Sequence, residues 1–191
     1  MVNDWPALLK RASVQALSRP ALAYKTKRLS LEQKDRQWLA SGPPVSQGEI
    51  LQFEARLGVE IPISLREFFE TSNGFVYVNH LIDRIRSVEE LSWENRDPEL
   101  AWLADSLREQ GNVTDIDDGK LVDCAANAAR ILRALQVTDF SGNSSVILLD
   151  PAAGALEWPA LILSPEGMIQ EFESFFHAVQ YEVDRTYSLY G

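Results

Sequence analysis

The chain has 191 residues, of which 46% are hydrophobic and 24% are charged, which is the composition of a globular protein with one main domain. This composition excludes a disordered or fibrous chain, and no apolar run approaches the roughly 20 residues that a membrane-spanning helix needs. Asp4 and Trp5 stand where a signal peptide would carry basic residues followed by an apolar stretch. We therefore expect a cytoplasmic protein that does not act at a membrane.

The formal net charge of −10 is unevenly distributed along the chain. Residues 1–44 carry eight basic and three acidic side chains, a net charge of +5, whereas residues 45–191 carry 10 basic and 25 acidic side chains, a net charge of −15. A surface of that sign repels phosphate backbones and attracts cationic partners. We expect the main body to bind a basic protein and not to bind nucleic acid directly.

The clearest break in the chain is Gly42-Pro43-Pro44, because consecutive prolines cannot continue a helix. We place a boundary there, between a basic helical N-terminal extension (1–44) and a main domain (45–191). Helical spacing of apolar residues predicts a first helix, from Trp5, Leu8, Leu9, Ala12, Ala16 and Leu17, and a weaker second helix after Pro20, from Leu29, Leu31, Trp38 and Leu39. We expect the extension to pack on the body and to add modest stability, with a helix on a membrane surface as the alternative.

Two closely spaced helices are predicted after the boundary. Ser46 and Glu49 have the spacing of a capping box, and Gly58 supplies a residue that ends helices in the left-handed conformation. Ser64 and Glu67 predict a second capping box, and Asn73-Gly74 ends the second helix.

Residues 48–75 resemble the opening signature of the SUKH superfamily, the SMI/KNR-type domains of bacterial toxin-immunity proteins and of a yeast cell-wall regulator. The positions that carry the resemblance are Phe53, Glu54, Leu57, Gly58, Pro62, Leu65, Phe68, Asn73 and Gly74. Farther along, residues 147–151 are similar to the family's central strand, and Ser174 and Phe175 to the start of its last helix. The resemblance covers most of residues 45–184 but does not extend to the N-terminal extension or to 97–130.

The remaining patterns predict an α+β fold, a mostly antiparallel sheet flanked by helices. In chain order they indicate a strand at 75–78, a capped turn at 87–90, a helix at 98–110 with Asp97 as its capping carboxylate, a helix at 121–130, a hairpin of 131–140 with 145–150, and a strand at 156–163 followed by a turn at 165–167.

The sequence predicts no catalytic, cofactor or metal site. Asp115, Asp117 and Asp118 precede Gly119, but that glycine would place Thr114, Ile116 and Ala125 at ligand positions of a calcium loop, so the spacing fails. We interpret His80 and His177 as structural histidines and Cys124, which lies among alanines, as a small apolar side chain.

We expect a noncatalytic protein-binding module. The family resemblance implies an immunity protein that neutralises a polymorphic toxin, often a nuclease, by occlusion; the alternatives are a regulatory scaffold and a small-molecule-binding or enzymatic domain that uses a cleft beside the sheet. An aromatic side chain that a partner can bury, set among acidic residues that attract a basic partner, is typical of a binding surface. On this basis the predicted partner-binding residues are Trp93, Glu94, Asp97, Glu99, Asp115, Asp117 and Asp118. Of the two nearby tryptophans, Trp102 is expected to be more buried than Trp93.

Overall fold

The computed structural model describes residues 3–18, 38–110, 113–114, 121–140, 144–152, 155–164 and 168–190. Within these ranges the helices are α1 (Trp5–Leu17), α2 (Gln47–Leu57), α3 (Ile63–Thr71), α4 (Pro98–Gln110), α5 (Cys124–Arg133) and α6 (Phe175–Tyr190). The strands are β1 (Val113–Thr114), β2 (Leu121–Val122), β3 (Leu135–Gln136), β4 (Val146–Leu149), β5 (Ala160–Leu163) and β6 (Ile169–Phe172). These elements confirm the α+β class.

The main sheet has the strand order β3-β4-β5-β6, and every pair is antiparallel. Strands β4 and β5 are buried on both faces, which explains why both are continuous apolar runs. One face carries Ile147, Leu149, Ala160 and Ile162 into a core shared with α1, α2, α3 and α6. The other face carries Val146, Leu148, Leu161 and Leu163 into a second core with α4 and α5. The sheet is therefore the middle of three layers.

Isolated bridges continue the sheet beyond β3, joining Ile85 to Thr138, Phe75 to Ile85 and Ala40 to Phe75. The prediction of a regular strand at 75–78 is wrong, because only Phe75 takes part in this pairing. The chain turns away at Asn79, whose side-chain oxygen accepts the backbone N–H groups of Leu81 and Ile82.

Helix α1 confirms the first predicted helix, and it lies inside the larger core. The Trp5 ring contacts Phe68, Phe175 and Phe176 with centroid separations of 5.1, 5.3 and 5.1 Å, and its indole N–H donates to the Ser64 carbonyl at 3.0 Å. The second predicted helix lies mostly outside the described residues, and its last two positions, Trp38 and Leu39, are not helical. The division of the chain at residue 44 stays a prediction.

Helix α2 is built as its local sequence predicts. Ser46 and Glu49 form the complete capping box, and Gly58 ends the helix with φ of +72°. The buried carboxylate of Glu54 accepts the Ile61 N–H at 2.9 Å and pairs with Arg66, so it joins α2 to the start of α3. This contact gives the motif glutamate a structural role.

The capping box predicted at Ser64 is wrong. Helix α3 already begins at Ile63, after Pro62, so Ser64 lies inside the first turn. Glu157, from the loop before β5, accepts both the Ser64 N–H and the Ser64 hydroxyl, each at 2.7 Å. The carboxylate of Glu67 instead accepts the side-chain amide of Asn3 at 2.6 Å. A distant acid thus stabilises the helix start in place of the local one.

The turn after α3 depends on Asn73 and Gly74. Gly74 has φ of +85°, and a Cβ there would lie 3.1 Å from the Ile85 carbonyl oxygen, so glycine is required. The Asn73 side chain accepts the Val88 N–H at 2.8 Å and donates to Glu89. These bonds attach the 75–90 loops to the end of α3.

The C-terminal half confirms the helices at 98–110 and after Ser174 and the pairing of β3 with β4. Several details differ from the sequence predictions. The helix predicted at 121–130 begins only at Cys124, because Leu121–Val122 form β2, and residues 131–133 extend α5 instead of starting a strand. Strand β5 begins only at Ala160, and β1, β2 and β6 were not predicted. Residues 141–143 and the turn at 165–167 lie outside the described residues. None of the helices that the structure describes is long and apolar enough to cross a membrane.

Candidate partner-binding surface

A polar pocket of about 520 Å³ lies at the margin of the sheet, where residues 84–86 run beside residues 137–139. The Arg86 N–H donates to the Val137 carbonyl at 2.9 Å, which places the two segments side by side. Charged and polar side chains dominate the lining, which consists of Asp83, Arg84, Arg86, Glu90, Asn95, Asp97, Asp139, Phe140 and Ser144.

Arg84 and Arg86 enter the pocket from the same side of their extended segment, because the buried Ile85 between them points to the core. Arg84 binds Asp139 through two hydrogen bonds, Nε to Oδ2 at 2.7 Å and Nη2 to Oδ1 at 3.1 Å, and it binds Glu90 through Nη1 at 2.6 Å. A bidentate guanidinium–carboxylate pair of this kind has a strongly preferred geometry.

Arg86 is the most deeply placed group of the pocket, with its side chain 6% exposed. It donates to Asp139 Oδ1 at 2.9 Å, to the Asn95 carbonyl at 2.6 Å and to Asp97 Oδ2 at 3.0 Å. Its charge is therefore balanced within the network, as burial of an arginine requires.

Asp97 does not cap α4 with its carboxylate, so that prediction is wrong although the helix itself is confirmed. Besides Arg86, the oxygen Oδ2 of Asp97 accepts the Phe140 N–H at 2.8 Å and pairs with the side-chain amide of Gln136. The Asp97 carbonyl accepts the Leu100 N–H at 3.0 Å instead. The carboxylate thereby fixes the start of α4 to the margin of the sheet.

The pocket's electrostatics favour ionised carboxylates. Burial raises the pKa of Asp139, but hydrogen bonds from Arg84 and Arg86 outweigh it and hold the pKa below its ordinary value. The pKa of Glu90 is affected in the same way. Burial raises it, but hydrogen bonds from the Ser87 N–H and from Arg84 outweigh that effect and hold the pKa below its ordinary value. Such acids are proton-bound only well below neutral pH, so they are poor proton donors, and their charge is partly balanced by Arg84 and Arg86.

The residues predicted to bind a partner lie in different surroundings. Glu94 and Glu99 are exposed, and Asp97 lies in the pocket wall. Trp93 is half-buried: its indole N–H donates to the Leu57 carbonyl at 2.9 Å, and its ring stacks on Trp158 at 6.3 Å. These contacts give Trp93 a structural role. Asp115, Asp117 and Asp118 lie outside the described residues.

The expectation that Trp102 is the more buried tryptophan is wrong, because its side chain is 71% exposed on α4. The apolar face of α4 is filled by Leu100, Leu103 and Leu107. Trp102 lies on the opposite side of the helix, beyond the reach of either core.

The residues that the sequence analysis interpreted as structural are placed as follows. Cys124 is buried at the start of α5. His80 is half-buried, and His177 is half-buried with its Nδ1 3.1 Å from the Ser174 hydroxyl. Within the described ranges, no three His, Cys, Asp or Glu side chains are grouped as metal ligands would be.

Sequence reasoning missed the paired arginines of the pocket and their partner Asp139. A signal was present, because Arg84-Ile85-Arg86 alternates polar and apolar residues, as a half-buried extended segment does. The partners themselves come from residues 53 and 55 positions away in the chain.

No protein-family model matches the chain, and no curated protein is significantly similar to it.

Proposed function

We propose that the protein is a noncatalytic protein-binding module of SUKH type, which neutralises a toxin by covering the basic surface of the toxin's catalytic domain. The observation that carries the proposal is the acidic face, defined here as the carboxylates of Asp83, Glu90, Asp97 and Asp139, which line the pocket together with two arginines, and the exposed carboxylates of Glu94 and Glu99, which lie close to Asn95 and Asp97 in the chain. Nuclease toxins are the best-fitting class, because an enzyme that binds nucleic acid presents a cationic surface.

The rigidity of the acidic face supports this function. Arg84 and Arg86 hold Asp139 at 2.7 to 3.1 Å, so the charges are fixed before a partner arrives. A preorganised surface loses less conformational entropy on binding than a mobile one. Complementary charge also accelerates association, which suits an inhibitor that must act before the toxin does.

The family resemblance is consistent with the contacts of its motif residues. Glu54 links α2 to α3, Gly58 and Gly74 adopt positive φ, and Asn73 attaches the following loops. These contacts belong to the scaffold and leave the acidic face free to vary with the partner. The resemblance includes both immunity proteins and a regulatory scaffold, and the acidic face favours immunity between the two.

The direct experiment uses the catalytic domain of the toxin encoded beside this gene. The purified protein should form a one-to-one complex with that domain and abolish its activity at equimolar concentration. The double variant Glu94→Lys/Glu99→Lys should weaken the complex at least tenfold at low salt. The matched control Glu60→Lys/Glu173→Lys makes the same change in charge at exposed positions outside the acidic face, and it should weaken binding less than threefold. A toxin that stays fully active with excess protein would contradict the proposal, as would the lack of a toxin gene beside this one.

The pocket favours a small-molecule site as the second candidate function. Its volume of about 520 Å³ and its four carboxylates against two arginines suit a polyamine-sized cation. Calorimetric titration with spermidine tests this directly. A dissociation constant below about 100 µM at physiological salt would favour the small-molecule function, whereas weaker binding would favour the protein partner.

A further inference from the structure

Helix α4 presents an outward face that none of the other residues described by the structure covers. Its buried side, formed by Leu100, Leu103, Ala104 and Leu107, packs in the second core. On the opposite side Trp102 is 71% exposed, and no other aromatic side chain that the structure describes is exposed to that degree. Tryptophan is enriched at the centres of protein interfaces, where its large surface is buried by a partner.

Carboxylates flank this tryptophan along the helix. Glu99, Asp105 and Glu109 are exposed and lie three residues before, three after and seven after Trp102, which places them on the same side of α4. Asp105 pairs with Arg108 at 3.2 Å. Glu99 and Glu109 form no ion pair with any residue that the structure describes. The face therefore offers an aromatic ring between two carboxylates that no residue in the described ranges neutralises.

We propose that this face of α4 docks on the basic partner and that an arginine of the partner stacks on Trp102. This inference rests on the proposed function. A guanidinium over an indole ring gains cation–π attraction, and its N–H groups can at the same time reach a carboxylate. Arginine suits this arrangement better than lysine, because the guanidinium is planar and more weakly hydrated than an ammonium group. The net charge of −15 on residues 45–191 favours a partner with a positive surface, and Trp102 determines where on α4 that partner binds.

The first experiment tests the chemistry without the toxin. The indole N–H signals of the intact protein are followed by NMR during titration with tetra-arginine amide and, separately, with tetra-lysine amide at equal ionic strength. The Trp102 signal is assigned from its loss in Trp102→Phe. It should shift at least threefold more with the arginine peptide than with the lysine peptide, and more than the Trp93 signal. Equal responses to the two peptides, or no response at Trp102, would overturn the inference.

The second experiment measures binding to the toxin domain. Trp102→Ala should weaken the complex at least tenfold, whereas Trp102→Phe should keep most of the affinity. Met168→Ala is the matched control, because Met168 is a similarly exposed apolar residue, at 68%, that lies before β6 rather than on α4. All three variants should unfold at the temperature of the original protein, since the substituted side chains are on the surface.

The outcomes separate this inference from the proposed function. If the original protein neutralises the toxin and Trp102→Ala does so equally well, the function stands and the docking inference fails. If the toxin is not bound but the Trp102 signal still prefers the arginine peptide, the docking inference stands for another basic partner and the proposed function fails.

Discussion

The substitution Trp5→Ala should remove a large part of the protein's stability, although Trp5 lies in the N-terminal extension. The side chain is 1% exposed and contacts three phenylalanine rings within 5.3 Å. Replacing a buried tryptophan by alanine costs about 3–5 kcal/mol. Loss of the indole hydrogen bond to the Ser64 carbonyl adds about 1 kcal/mol. We expect a total loss of about 4–6 kcal/mol.

Urea denaturation followed by circular dichroism measures this loss, and the thermal midpoint should fall by roughly 10–15 °C. The matched control is Val14→Ala on the same helix, where the side chain is 41% exposed and the loss should stay below about 1 kcal/mol. Deleting residues 1–44 should destabilise at least as much as Trp5→Ala, which would exceed the modest stability expected from sequence. A loss below about 1.5 kcal/mol for Trp5→Ala would refute the placement of α1 in the core.

Two further predictions concern the scaffold. Gly58→Val should lower the free energy of unfolding by about 1–3 kcal/mol. The cost is backbone strain, because φ is +72° and no atom lies within 4 Å of the added Cβ. Gly48→Ala, inside α2, should instead stabilise the protein by up to about 1 kcal/mol, and equal effects of the two substitutions would contradict the left-handed cap. Burial raises the pKa of Glu182 more than Asn79 and Arg185 lower it, so the carboxyl group stays protonated to a higher pH in the folded protein than in the unfolded chain. The folded state therefore loses stability as pH rises from the ordinary carboxyl pKa through the raised one. Glu182→Gln should therefore have a higher thermal midpoint than the original protein at pH 7.5 and show no advantage at pH 4, whereas a constant difference across this range would contradict the assignment.

The parts of the fold that the sequence predicts are those fixed by neighbours in the chain. Ser46 and Glu49 are three residues apart, and the capping box needs no other partner. Gly58 follows the last apolar position of α2, and the left-handed end depends on that residue alone. The apolar stripe of α1 was likewise visible as helical spacing.

The errors arise where a distant residue replaces a local one. Ser64 has the spacing of a capping box with Glu67, but Glu157, 93 residues away, takes the hydrogen bonds instead. Asp97 has the position of a helix cap, yet Arg86 and the Phe140 N–H bind its carboxylate. Local spacing cannot reveal such competition, because the competing groups meet only in the folded sheet.

The exposure of Trp102 follows from the helical spacing of its neighbours in the sequence. Leu100, Leu103 and Leu107 already define the buried side of α4, and at 3.6 residues per turn Trp102 lies roughly 130° around the helix from the middle of that stripe. The general tendency of tryptophan to be buried is weaker than this periodicity. In this helix the periodicity decides, because the second core can fill only one side of α4.

The rate of association with the neighbouring toxin's catalytic domain, measured by stopped-flow at increasing salt, is the most direct test of the claim that an acidic body captures a basic partner. We predict a fall of at least tenfold in the association rate constant between about 20 and 500 mM salt, with a much smaller change in the dissociation rate. Reversing the charges of Asp115, Asp117 and Asp118 together should lower the low-salt rate and flatten this dependence while leaving the thermal midpoint nearly unchanged. An association rate that is independent of salt in the original protein would contradict the account.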